Sequence, residues 1–87
     1  MEEIKIGKYY YLKAKYKNNS KIKVFSYYIK ILSKEKYDFK VEIISSTNPD
    51  SEKGNKARID NYDIIKTLKN VLEFREATKS EILVELI

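Results

Sequence analysis

The side chains with the most chemistry to offer are tyrosines and lysines that alternate near the start of the chain. Tyr9, Tyr11, Lys13, Lys15 and Lys17 occupy every second position, so in an extended strand they share one face. Phenol rings can stack on bases and ammonium groups can neutralise phosphates, the combination that holds single-stranded nucleic acid with little regard to sequence. Lys21, Lys23 and Lys30 extend this basic field, as do Lys34, Lys36 and Lys40. Arg occurs only at positions 58 and 75, so bidentate reading of base edges is not expected, and nucleic-acid contact by this field would have low sequence specificity. A plainer account of the same residues stands beside this one. Tyr is a favoured strand residue, and Lys keeps sheet edges from aggregating.

Other routes to chemistry are narrow. The 87 residues contain no His and no Cys, which removes the commonest general base, the thiol nucleophile and the usual soft metal ligands. The two glycines, Gly7 and Gly54, stand alone and make no phosphate-cradling loop. Carboxylates remain: Asp60 and Asp63 lie three apart, and Asp50 and Glu52 share a loop. Such pairs can bind Mg²⁺ or do acid–base work, but acids near a helix start also simply complement its dipole. The expectation is a non-enzymatic protein with no catalytic residues, no metal site and no cofactor.

The elements that must position these residues follow from period and turn chemistry. A chain of this length has room for one domain, residues 1–87, and 43% hydrophobic residues is a globular composition. From Tyr10 to Tyr16 the pattern alternates, with Tyr10, Leu12, Ala14 and Tyr16 inward and the Tyr/Lys set outward. Asn18-Asn19-Ser20 is a turn signal. A second strand, Lys21 to Leu32, changes parity from Ile22 and Val24 to Phe25, Tyr27, Ile29 and Ile31, which predicts a bulge near Val24–Phe25. After a polar turn at Ser33–Lys36, a third strand from Tyr37 to about Ser45 puts Tyr37, Phe39, Val41 and Ile43 inward. Ser45 to Lys56 is the one long loop, and Ala57 to Asp60 is a candidate short strand.

The last third changes period. Ile64, Ile65, Leu68, Val71 and Leu72 have helical spacing, and Leu72-Glu73-Phe74-Arg75 reads alternatively as a final strand. Thr78-Lys79-Ser80-Glu81 fits a capping box. The helix it opens would carry Ile82, Leu83, Leu86 and Ile87 as an apolar stripe, read as core before interface, although a homodimer contact is the other use of such a stripe. A terminal strand with Ile82, Val84 and Leu86 inward is the competing reading. The fold class is therefore α+β, mostly β: a three- to five-stranded curled antiparallel sheet or small barrel with one or two short C-terminal helices.

Charge is front-loaded. Residues 1–48 carry eleven Lys against five acids, and residues 49–87 carry seven basic and eight acidic groups. No apolar run is long enough to span a bilayer, and Met1-Glu2-Glu3-Ile4-Lys5 lacks the features of a secretory signal. With no cysteines, a reducing cytoplasm is the expected location. Ile, Lys, Asn and Tyr are abundant, and all are read from AT-rich codons, which points to a low-GC bacterium or its virus and gives the lysines a compositional origin as well.

Two stretches carry a resemblance. Ile4-Lys5-Ile6-Gly7-Lys8-Tyr9-Tyr10 looks like the first strand entry of small SH3-like barrels, and Phe74-Arg75-Glu76-Ala77-Thr78-Lys79-Ser80-Glu81-Ile82 is similar to the tail of many short phage proteins. The resemblance implies a curled antiparallel sheet, a binding role and a phage or mobile-element origin. Three functions are then in view. The chain would be an accessory factor that modulates a host protein or ribonucleoprotein complex, such as an anti-CRISPR-like inhibitor of a defence nuclease. Alternatively it is an SH3-like nucleic-acid-binding module using the Tyr/Lys face, or a structural or assembly subunit. No membrane partner is expected.

Overall fold

The computed structural model describes residues 4–60 and 71–86. Five strands run in chain order: β1 (Tyr9–Asn18), β2 (Lys21–Lys34), β3 (Asp38–Ser46), β4 (Lys56–Asp60) and β5 (Val71–Glu76), followed by the helix α1 (Lys79–Leu86). They form one antiparallel sheet in the order β4-β3-β2-β1-β5. The first four make a meander, and β5 returns to pair with the free side of β1. Among the described residues the architecture is mostly β, a curled five-stranded sheet with one short C-terminal helix.

The β1–β2 hairpin is built as its turn chemistry predicts. Asn18 pairs with Lys21, and the two residues between them, Asn19 (φ 50°) and Ser20 (φ 68°), are both left-handed. That is the type I′ pattern, whose twist matches the flanking strands. From this turn the β1–β2 register runs unbroken to Tyr9 opposite Lys30. The bulge expected near Val24–Phe25 is therefore absent from this ladder. Ile22 and Val24 belong to the opposite face from Phe25 and Tyr27, and they are exposed (67% and 47%). The apparent parity change came from apolar residues on a solvated face.

Irregularities occur elsewhere. Register shifts leave Leu32 as the extra residue on β2, Ile44 on β3 and Leu72 on β5. Each bulge bends its strand and adds twist, which curls the sheet around its own concave face. That face holds the core: Tyr10, Tyr27, Ile29, Ile31, Phe39, Val41 and Ile43, with Ile4 from the N-terminal segment. Ile31 and Val41 face each other across β2 and β3 and are fully buried. Tyr10 stacks on Phe74 of β5 at 5.4 Å between ring centroids. One inward assignment fails: Tyr37 is exposed, lying in the turn before β3, while Tyr16 keeps the core face of β1 but is 42% exposed beyond the end of β5.

The N-terminal segment is tied in by backbone bonds. Gly7, at φ +85°, lets the chain turn so that its N–H donates to the Ile31 carbonyl (2.8 Å). Lys5 N–H donates to the Tyr10 hydroxyl (2.9 Å). The Ser45–Lys56 loop is a closed hairpin connection rather than an open span. Asn48 folds an Asx turn onto Asp50 N–H and donates from its amide to the Tyr27 hydroxyl. Gly54 N–H and the Asn55 carbonyl bond back to Ile43.

The candidate helix over Tyr62–Leu72 falls mostly outside the described residues. Its last two positions, Val71 and Leu72, open β5, in keeping with the strand alternative for Leu72–Arg75. The capping box at Thr78 is formed: Thr78 N–H donates to Glu81 (2.9 Å) and Glu81 N–H donates to Thr78 Oγ1 (3.2 Å). Residues 79–86 are helix, so the terminal-strand alternative does not hold. The apolar stripe, however, does not close the core. Ile82 is buried, while Leu83 and Leu86 are about half exposed.

Candidate nucleic-acid interface

β1 and β2 are longer than their neighbours. On its outer side β1 pairs with β5 only from Tyr10 to Ala14, and β2 pairs with β3 only from Tyr27 onward. Among the described residues no third strand flanks Lys15–Ser26, so this part of the hairpin is a two-stranded ribbon projecting from the sheet. Thr47 braces its base, accepting from Ser26 N–H through its hydroxyl (2.8 Å) and donating its own N–H to the Ser26 carbonyl (3.0 Å).

The ribbon and its base hold five lysines, Lys13, Lys15, Lys17, Lys21 and Lys23, and no acid between Lys13 and Ser26. The rest of the chain then has thirteen basic and thirteen acidic groups. The whole net charge of +5 sits on this element. None of the five makes an ion pair with a described acid; of the other described lysines Lys8 does, and both arginines do. Lys13 is the most enclosed of them and stands opposite Glu73 of β5.

The register divides the residues proposed from sequence. Tyr9, Tyr11, Lys13, Lys15 and Lys17 share the convex face of β1, and their β2 partners there are Lys30, Tyr28, Ser26, Val24 and Ile22. Lys21 and Lys23 lie on the other face, opposite Asn18 and Tyr16. The basic field thus wraps both sides of the ribbon instead of lying on one surface.

The tyrosines of the convex face are already engaged. Tyr11 packs on Tyr28 (5.1 Å between centroids) and lies under the Arg75 guanidinium at 4.7 Å, a cation–π contact. Its hydroxyl shares a hydrogen bond with Ser26 (3.0 Å). Tyr9 lies beside Lys30, whose ammonium is 5.8 Å from the ring centre, and lines a groove beneath α1 with Ile82, Leu83 and Leu86. The helix is clamped over this face by charge. Arg75 forks onto Glu81 with two parallel bonds of 2.8 and 2.7 Å, and the Tyr28 hydroxyl donates to Glu81 at 2.8 Å. Arg75, then Thr78 N–H and the Tyr28 hydroxyl, hold the Glu81 carboxyl well below the usual carboxylate range. Burial, then the bond to Glu81, pushes the Tyr28 hydroxyl up. Two features here have no signal in the local pattern: the Arg75–Tyr11 contact, and the partial covering of that ring by a segment more than sixty positions away.

On the ribbon itself Tyr16 tilts against Phe25 (5.8 Å) and accepts a long bond from Tyr27 (3.5 Å). Burial, then that neighbour, pushes its hydroxyl up to about 12. Among the described residues no group of three or more acidic side chains is placed to hold a metal ion, and no helix is long and apolar enough to cross a membrane.

No family model, no curated protein and no solved structure matches the chain.

Proposed function

We propose that this chain is a non-enzymatic binding protein whose contact element is the β1–β2 ribbon and whose partner is nucleic acid, free or exposed in a nucleoprotein complex. The observation that carries the reading is a projecting, acid-free hairpin that carries five lysines, as many charges as the net charge of the whole chain. A bland, codon-driven excess of lysine would spread over the surface and meet acids there. Here the basic groups outside the ribbon are matched in number by acids, and the five lysines on it have no acid in their segment. Polyanion binding draws its affinity from released counterions, and clustered ammonium groups are what it requires.

The reading of the chain as a small SH3-like barrel is supported by β5 returning beside β1, which adds a fifth strand to the curled meander. The absence of cysteine and histidine supports a reducing, cytoplasmic setting and a role without chemistry. A second reading, a phage-type factor that docks on a host protein complex such as a defence nuclease, is favoured by Ile22 and Val24. These exposed apolar side chains are interleaved with the lysines and suit a protein surface bearing acids.

The test is fluorescence anisotropy with labelled DNA and RNA of mixed sequence at low salt. Binding is expected, and it is lost when Lys15, Lys17, Lys21 and Lys23 are all changed to Glu while the circular dichroism spectrum is unchanged. No binding to any nucleic acid at low salt sinks the nucleic-acid reading. Affinity capture of a host nuclease by the unmodified chain, lost in the same variant, would then establish the second.

A further inference from the structure

We infer that the ribbon's target is the major groove of B-form duplex DNA, with the hairpin standing in the groove between the two phosphate walls; this rests on the nucleic-acid reading above. The first argument is the two-sidedness of the charge. A single strand lying along a sheet meets cations on one face and free rings beside them. This ribbon has Lys15 and Lys17 on one face and Lys21 and Lys23 on the other. Cations on opposite faces suit a ligand that passes on both sides, which is what the two backbones bordering a groove provide.

The second argument is fit. Two paired strands lie about 4.8 Å apart, and a two-stranded ribbon enters a major groove about 12 Å wide. Lys15 to Asn18 spans roughly 10 Å at about 3.4 Å per residue before the turn is added, against a groove depth of about 8.5 Å. The tip therefore reaches the floor while the five-stranded body stays outside. The deep, narrow major groove of A-form RNA does not admit such an element. The third argument is the state of the rings. Tyr11 is held between Tyr28 and Arg75, and Tyr9 lies against Lys30 and lines the groove beneath α1, so both convex tyrosines are half-buried and offer little ring face for base stacking.

At the tip, Asn19 and Ser20 are exposed and are the groups that meet base edges. An Asn amide can donate to and accept from adenine there. One such residue gives at most a mild preference among sequences.

The experiment compares one sequence as duplex DNA, as single-stranded DNA and as duplex RNA, with the full chain at a fixed low salt concentration. Duplex DNA is expected to bind at least about tenfold tighter than either of the others, with a salt slope near −0.9 per lysine engaged. Lys17→Gln on one face and Lys21→Gln on the other should each weaken duplex binding and each lower that slope by about 0.9. Guanine N7, which lies in the major groove, should be protected from methylation by the bound protein. Equal or tighter binding to the single strand or to duplex RNA overturns the inference and leaves the nucleic-acid reading standing. Loss of affinity from Lys17→Gln alone also overturns it, since the two-walled geometry needs both faces. Failure to bind any of the three overturns both.

Discussion

Neutralising the ribbon lysines one at a time should reduce the salt dependence of DNA binding in counted steps. Each phosphate neutralised on B-form DNA contributes about −0.9 to the slope of log K against log salt. Five lysines set the upper bound at about −4.5, and if Lys13 is offset by Glu73 across the ladder, four set it at about −3.6. Raising salt fourfold, from about 50 to about 200 mM, should then weaken binding roughly 150- to 500-fold. The triple variant Lys15→Gln, Lys17→Gln, Lys23→Gln keeps at most two contacts, so its slope falls to about −1.8 and the same salt step costs only about twelvefold. Lys56→Gln, on the far edge strand β4, is the control and should leave the slope unchanged. The assay is anisotropy across a salt series, with circular dichroism on each variant to confirm the sheet. A slope shallower than about −1 for the unmodified chain, or a triple variant with an unchanged slope, would refute the claim that the ribbon is the electrostatic contact.

Two further outcomes concern how the contact element is held. The Glu81 carboxyl is depressed by Arg75, Thr78 and Tyr28, so docking of α1 contributes stability that is present above the ordinary Glu range and is lost as pH falls through the lower folded value. Protection of the α1 amides against hydrogen exchange, taken relative to the intrinsic rate at each pH, should fall in acid, and Glu81→Gln should remove that dependence; protection that does not change with acid in the unmodified chain would contradict the clamp. Ser20 sits at φ 68°, where a side chain costs about 1–2 kcal/mol that glycine avoids, less the entropy glycine loses on folding. Ser20→Gly should therefore raise stability by about 0.5–1 kcal/mol, a few degrees in melting temperature, and a lowered melting temperature would show that the turn is not strained.

Much of the local structure was legible because it depends on neighbours in the chain. Alternation over Tyr10–Ala14 and Phe39–Ile43 placed the core face correctly, since a strand's period is fixed by its own backbone. The Asn-rich turn and the Thr78–Glu81 capping box were readable because their bonds span three residues or fewer. The expected bulge at Val24–Phe25 was misplaced for an instructive reason. Apolar residues mark burial only where something covers them, and nothing among the described residues covers Ile22 and Val24.

Chain-local rules settle the inventory: an alternating, lysine-rich first half with tight turns, no histidine or cysteine, and a capping-box motif at Thr78–Glu81 that left helix and strand both open for the segment after it. How that inventory is presented follows from long-range contacts. Pairing between residues sixty positions apart set where β5 stops along β1, and so how much of the hairpin projects. Strand register put the lysines on two faces, and Arg75 and α1 left Tyr11 and Tyr9 half-buried. Such long-range pairings leave no trace in local periodicity, because any register that buries the same apolar face satisfies the same pattern.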